Sequence, residues 1–145
     1  MAQGLSTVHI LGAGPTGSLA ALALAENNQR VVLHDPLSVE SLTTRSRAYA
    51  ITHSSRRLLQ DLELWERLID DLIPFELLDL RDQSINKRVL FRLKDLPSGH
   101  QTHGGIGWIL DHGPLMQSLF NRLRLHSGVE LFLGSPPPRS GPNDL

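Results

Sequence analysis

Three glycines and one carboxylate are the residues of this chain whose types and spacing suit them to act together. Gly12-Ala13-Gly14-Pro15-Thr16-Gly17 reads G-x-G-x-x-G. In that pattern the first glycine permits a tight turn, the second lets a diphosphate approach the backbone, and the third lets a helix pack closely on a strand. Free N–H groups at the helix start, with the positive end of its dipole, then attract anionic phosphates. Asp35 lies 18 residues beyond Gly17, where a carboxylate can accept hydrogen bonds from adenosine ribose hydroxyls and would repel a 2′-phosphate. Together these residues suit an ADP-containing cofactor. None of them is a catalyst.

The chemistry requires a particular frame, and the flanking sequence supplies it. Residues 7–11, Thr-Val-His-Ile-Leu, read as a short buried strand running into Gly12. Residues 15–26 are rich in alanine and leucine and favour a helix, with Pro15 tolerated in the first turn. Ala21, four residues after Gly17, keeps that helix tight on the sheet. Asn27-Asn28 suits the left-handed end of the helix, and residues 30–34 form a second strand. A strand, glycine turn, helix and strand of this length make one βαβ unit, whose strands are parallel with a right-handed crossover.

Beyond Asp35 the rhythm changes. Residues 36–47 read as a polar connection. Leu58, Leu62, Trp65, Ile69 and Leu72 recur at steps of four and three, which predicts one amphipathic helix over residues 54–72, stopped by Pro74, with the stripe in the core. Asp70-Asp71 then falls on its solvated side. Residues 75–81 and 87–93 predict an antiparallel hairpin, residues 96–105 a loop, and residues 106–110 a strand. Residues 114–126 predict a helix and residues 129–133 a final strand. The tail, residues 134–145, is rich in proline and glycine and reads as disordered or extended. There is no internal repeat.

Composition narrows the classes. The chain has 145 residues, 40% hydrophobic and 20% charged, with a formal net charge of −1, a globular balance. No dense basic stretch suggests a nucleic-acid partner. With no cysteine, disulfides, thiolate metal sites and cysteine nucleophiles are excluded. Residues 11–25 are apolar, but glycines and a proline interrupt them, no basic region leads them, and no run approaches the ~20 apolar residues of a membrane span. A soluble, cytoplasmic protein is the expectation, with peripheral membrane contact left open. His100 and His103 lack a third ligand at metal spacing and read as surface residues, and His9 and His34 as packed or hydrogen-bonded. No G-x-S-x-G elbow is present.

The segment Arg47-Ala48-Tyr49-Ala50-Ile51-Thr52-His53-Ser54-Ser55, continuing into Arg57-Leu58-Leu59 and Leu62-Glu63-Leu64-Trp65, resembles the para-hydroxybenzoate hydroxylase-like flavin monooxygenases. Within them it is most similar to the ubiquinone-biosynthesis hydroxylase branch. Residues 75–82 resemble that family's next strand. Ile106-Gly107-Trp108-Ile109-Leu110, with the helix carrying Gln117 and Leu119, resembles its strand-helix pair leading back to the flavin. The resemblance runs in order from Val8 to Leu133. It implies that Gly12, Gly14, Pro15, Thr16 and Gly17 hold the FAD diphosphate and Asp35 the adenosine ribose. It also implies that Arg47 lies along the diphosphate and ribityl chain, and that Gln117 faces the ribityl or isoalloxazine region. The sequence departs from the family at Arg45, where an acidic residue is usual, at Glu63, where the helix glycine is usual, and at Gly113, where a basic residue or histidine is usual, although His112 is adjacent.

The fold class expected is therefore α/β: a Rossmann-like FAD-binding βαβ unit with an inserted antiparallel hairpin, apparently truncated. Residues 1–133 would be the N-terminal part of an FAD-binding domain. The family's later Asp-Gly and Gly-Asp segments and most of its substrate domain would lie past Leu145. The implied activity is NAD(P)H- and O₂-dependent hydroxylation of a small aromatic or quinone-precursor substrate, with this stretch inactive alone and prone to self-association through an unpaired sheet edge. The other class that fits is a non-catalytic regulatory module binding NAD(H) or another adenine nucleotide at the same turn.

Overall fold

The computed structural model describes residues 6–136. In chain order it contains β1 (Thr7–Leu11), α1 (Pro15–Glu26), β2 (Arg30–Asp35), α2 (Val39–Thr43), β3 (Ala48–Ile51) and α3 (His53–Asp61). Then come β4 (Ile73–Phe75), β5 (Leu77–Asp82), β6 (Lys87–Arg92), α4 (Ser98–Gln101), β7 (Gly107–Asp111), α5 (His112–Leu125) and β8 (Val129–Leu133). They fall into two compact units, Met1–Ser46 with His112–Leu145, and Arg47–Asp111.

The first unit is built on a parallel sheet in the order β1-β2-β8. Thr7 pairs with Arg30 and Leu11 with His34, while Val31 pairs with Val129 and Asp35 with Leu133. As the central strand, β2 is buried from Val31 to Asp35. β1 differs from the buried strand expected: exposed and half-buried residues alternate along it, and Leu11 is 70% exposed. An edge strand has one paired neighbour, so its hydrophobic sequence alone does not enclose it.

Helix α1 starts as its sequence requires, with Gly14 as extended N-cap and Pro15 at the first helical position. Asn27 caps its end and Asn28 takes φ 62°, the left-handed conformation asparagine tolerates. Helices α1 and α5 pack on each other and on the sheet. Ala21, Leu22, Ala25, Leu119, Phe120 and Leu123 are in the core between these elements. The connection expected at residues 36–47 carries α2, capped by the Ser38 hydroxyl, which accepts from the Ser41 N–H at 3.3 Å. Helix α5 begins two residues before the expected 114, at His112, whose buried imidazole donates from Nε2 to the Leu42 carbonyl at 2.6 Å. This bond ties α2 to the start of α5.

The second unit carries an antiparallel sheet in the order β3-β7-β4 and a separate β5–β6 hairpin. The hairpin pairs Leu77 with Arg92 and Asp82 with Lys87, close to the expected limits. Two expectations need correction. The strand expected at residues 106–110 is β7, which joins the antiparallel sheet, so the parallel sheet resumes only at β8. The helix expected over 54–72 ends at Asp61: Glu63 turns left-handed at φ 54°, and 3₁₀ turns follow at Trp65–Arg67 and Ile69–Asp71. The turn breaks the single apolar stripe. Leu62, Leu64, Trp65 and Leu68 are buried, whereas Leu58 and Ile69 are 42% and 54% exposed. Pro74 is a residue of edge strand β4 and not a helix stop, an edge being where a strand tolerates proline. The predicted tail lies mostly outside the described residues. Within them, the Gly134 N–H reaches the carbonyls of Asp35 and Leu37, each at 3.0 Å.

Candidate cofactor-binding site

The glycine turn joins the end of β1 to the start of α1, beside the end of β2. Gly12 adopts φ 101°, a conformation open to glycine and strained for other residues, and its N–H donates to the His34 carbonyl at 2.7 Å. The next amide, that of Ala13, donates to Asp35 Oδ2 at 2.8 Å. The other oxygen, Oδ1, accepts from the Leu37 N–H at 2.9 Å. Asp35 is buried, and its carboxylate ties the end of β2 to the turn through the Ala13 bond while the Leu37 bond holds the chain just past β2. Ser18, fully buried, donates its hydroxyl to the Ala13 carbonyl at 3.0 Å. The turn is thus held from both sides.

The three glycines have different surroundings. A Cβ on Gly17 would stand 1.8 Å from the Gly12 carbonyl oxygen, so helix and turn approach too closely for any side chain. A Cβ on Gly12 or Gly14 would meet nothing within 4 Å. The backbone there borders open space, at the helix end whose first N–H groups have no partner within the helix. An anionic diphosphate fits such a cradle by charge and by access. Each Asp35 oxygen retains acceptor capacity beyond its one backbone bond, which a ribose hydroxyl can use.

The structure therefore brings Gly12, Gly14, Pro15, Thr16, Gly17 and Asp35 to one place. Gln117 lies in the same unit on an exposed position of α5, without a hydrogen bond to the turn among the described residues. Arg47 is exposed just before β3, in the second unit. Sequence reasoning missed Ser18 and the two amides that Asp35 accepts. A serine directly after the last glycine was the available signal for the first. His34 is buried and His9 exposed, and the two are hydrogen-bonded, one of the two roles expected of them. Their rings stack at 5.3 Å with His9 Nδ1 3.0 Å from His34 Nε2, and Phe132 stacks on His34.

In the second unit, His53 has a pKa lowered from its ordinary value, first by burial and then by the nearby His100, His103 and Arg56 charges. A hydrogen bond with the Gly105 carbonyl at 3.0 Å partly opposes this. Although His100 and His103 gather around His53, no group of residues among those described is arranged to hold a metal ion. No helix among them is long and apolar enough to cross a membrane.

No protein-family model matches the chain. It is 27% identical over 114 residues to an uncharacterized protein of Synechocystis sp., covering 79% of this chain and 26% of that protein. It is 28% identical over 139 residues to kynurenine 3-monooxygenase 3 of Aspergillus niger, covering 89% and 27% respectively. Among solved structures, 2-methyl-3-hydroxypyridine-5-carboxylic acid oxygenase superposes with a TM-score of 0.65 at 22% identity, over 88% of this chain and 31% of the other. PqsL, a probable FAD-dependent monooxygenase from Pseudomonas aeruginosa, gives a TM-score of 0.66 at 15% identity, over 89% and 33%. The chain thus has a fold found in FAD-dependent monooxygenases. It spans about a quarter of the length of the curated relatives it matches.

Proposed function

We propose that these residues are the FAD-binding portion of a flavin monooxygenase that hydroxylates a small aromatic or quinone-precursor ring with NAD(P)H and O₂. The observation that carries the reading is the cradle at the end of β1: open backbone over Gly12 and Gly14, braced through the 2.8 Å bond from Ala13 N–H to Asp35. The α1 N-terminus would meet the FAD diphosphate, and Asp35 the adenosine ribose. Arg47 and Gln117 would contact the middle of the cofactor, as the family resemblance implies. When bound, FAD supplies the redox and oxygen chemistry, and the protein's part is binding and orientation. The quinone-precursor substrate follows from the ubiquinone-branch likeness of the Arg47–Trp65 segment. These residues alone would bind the cofactor weakly and hydroxylate nothing.

Titration of the purified chain with FAD, followed by competition with ADP, tests the assignment. Expected is saturable binding with a Kd between about 10 μM and 1 mM, displaced by ADP and weaker for NADH. Binding of NADH without FAD would favour the nucleotide-responsive regulatory module. Binding of none of the three would refute the cradle as a cofactor site. Turnover of NADPH into a hydroxylated product by these residues alone would refute their expected inactivity.

A further inference from the structure

Three imidazoles from distant parts of the sequence meet inside the Arg47–Asp111 unit. The ring of His53, at the start of α3, lies 4.7 Å from that of His100 in α4 and 5.8 Å from that of His103 just beyond α4. His100 and His103 are 6.4 Å apart, and Trp108 of β7 meets His53 edge-on at 5.0 Å. Arg56, one turn along α3, sets its guanidinium carbon 5.2 Å from the centre of the same indole. His100, His103 and Arg56 are the charged or titratable groups that face His53. None is acidic, and no carboxylate among the described residues forms an ion pair with Arg56 or with any of the three histidines.

This cluster fastens one segment to the rest of the unit. Residues 97–104 run over the surface, exposed throughout except for half-buried His100. Their hydrogen bonds among the described residues are local. The His100 N–H donates to the Pro97 carbonyl, the His103 N–H to that of His100, and the Gln101 side chain to that of Leu96. The bond that reaches another element comes at the end of the segment, where His53 Nε2–H donates to the Gly105 carbonyl at 3.0 Å. His103 also forms part of the wall of a cavity of about 280 Å³ beside Trp65 and Trp108.

Neutral imidazoles pack against one another and against an indole at these distances. Charged ones repel, and Arg56 is already a cation, so each added proton meets like charge with no anion to offset it. Burial acts in the same direction on His53, whose pKa in the closed arrangement lies below its ordinary value. Release of the segment frees His53 to bind its proton at the ordinary 6.5, so protons favour release. The bond to Gly105 does not oppose this with equal force, since the same N–H donates in both protonation states.

We propose that residues 97–104 are an acid-released strap, closed on α3 at neutral pH by the contacts of His53 with His100 and His103 and opened below about pH 6 as the three imidazoles gain charge. Opening withdraws His103 from the cavity wall and exposes the indoles behind it. The device uses no residue of the glycine turn and is independent of the cofactor reading.

Amide hydrogen exchange of the full chain tests this, compared at about pH 7.5 and about pH 5.5, with each rate divided by that of an unstructured peptide at the same pH. One unit below 6.5, a histidine that binds its proton in the open state alone favours opening about tenfold. Protection of the His100, His103 and Gly104 amides should therefore fall about tenfold, while the amides of β7 keep theirs. Trp65 and Trp108 are the only tryptophans in the chain, so acrylamide quenching of intrinsic fluorescence should increase over the same window. In the His100→Gln/His103→Gln double variant the strap amides should be almost equally protected at both pH values. Strap amides that exchange like an unstructured peptide at neutral pH would overturn the proposal. So would protection unchanged by acid, or an equal loss in β7, which would mean unfolding of the whole unit. A folded double variant that keeps the pH dependence would overturn it as well. Should that variant fail to fold, the comparison of strap and β7 amides in the unaltered chain decides.

Discussion

Replacing Gly17 by alanine adds one carbon where α1 crosses the turn. In a helix, glycine to alanine ordinarily stabilises by about 1 kcal/mol through propensity. Here the new Cβ would lie 1.8 Å from the Gly12 carbonyl oxygen, with the Gly12 carbonyl carbon at 3.1 Å. That is roughly 1 Å inside the closest approach such atoms make. Both obstructing atoms are backbone, so no rotamer change can relieve the overlap. Either α1 lifts from β1 or the turn opens, and the turn is held by the bonds from Gly12 N–H to His34 and from Ala13 N–H to Asp35. Forced overpacking of this kind costs about 1–3 kcal/mol, occasionally more. With an unyielding neighbour the upper end applies, and after the propensity gain a net loss of about 2 kcal/mol is expected.

The assay must follow the correct unit. Both tryptophans lie in the second unit, so their fluorescence does not report on α1. Urea unfolding followed by far-ultraviolet circular dichroism, with hydrogen exchange of the α1 amides, reads the right element. The urea midpoint should fall at unchanged slope, and the melting temperature should drop by about 5–10 °C. Gly14→Ala is the internal control. Gly14 sits at φ −68° with nothing within 4 Å of an added Cβ, so alanine is accommodated and stability should change by under about 1 kcal/mol. Its methyl group would nevertheless occupy the space proposed for the diphosphate, and FAD affinity should fall at least about tenfold. A Gly17→Ala variant as stable as the parent would refute the reasoning from close approach.

Asp35→Asn must aim an amide NH₂ at one of two backbone donors, so equilibrium unfolding should show a loss of about 1–3 kcal/mol; an unchanged midpoint would deny Asp35 its bracing role. Glu63→Gly relieves a left-handed residue at φ 54° and should stabilise the second unit by about 0.5–1 kcal/mol, read from tryptophan fluorescence in urea. Because the folded protein lowers the pKa of His53, the unfolded chain takes up that proton first. The contribution of His53 is therefore complete above its ordinary value of 6.5 and is lost as pH falls through the lowered folded value. Urea midpoints by tryptophan fluorescence should decrease over that window, and His53→Gln should flatten the decrease. Leu11 and Phe132, 70% and 47% exposed on the edge strands β1 and β8, should promote self-association, and a sharp monomer in sedimentation velocity would contradict it.

Legibility in the sequence followed the range of the interactions. The β1-α1-β2 unit could be read because its determinants are local: a glycine spacing, an alanine-rich run, an Asn-Asn end and a β-branched strand. The end of α3 was harder. Leu58, Leu62, Trp65, Ile69 and Leu72 keep helical spacing through a point where the chain turns at Glu63. Family glycine at that position was the warning, since a left-handed residue at a helix end is what glycine provides. The partition of strands between two sheets was beyond local pattern altogether. Nothing in Gly107–Asp111 itself distinguishes a strand flanked by β3 and β4 from one that continues the parallel sheet.

Asp35 shows why the binding site was legible in its residues but not in its construction. Its position at the end of β2 suggested a ligand contact, and the two donors it accepts from are backbone amides, which the sequence does not distinguish. Because Oδ2 holds Ala13 and Oδ1 holds Leu37, the carboxylate is part of the turn before any ribose arrives. Removing its charge should therefore weaken the fold and cofactor binding together, since one displaced turn lowers both. Gly14 has no such structural duty: its surroundings are open and its dihedral angles suit alanine. Binding that falls with Gly14→Ala at constant stability therefore isolates contact with the diphosphate. Loss with Asp35→Asn, taken alone, does not separate contact from scaffolding.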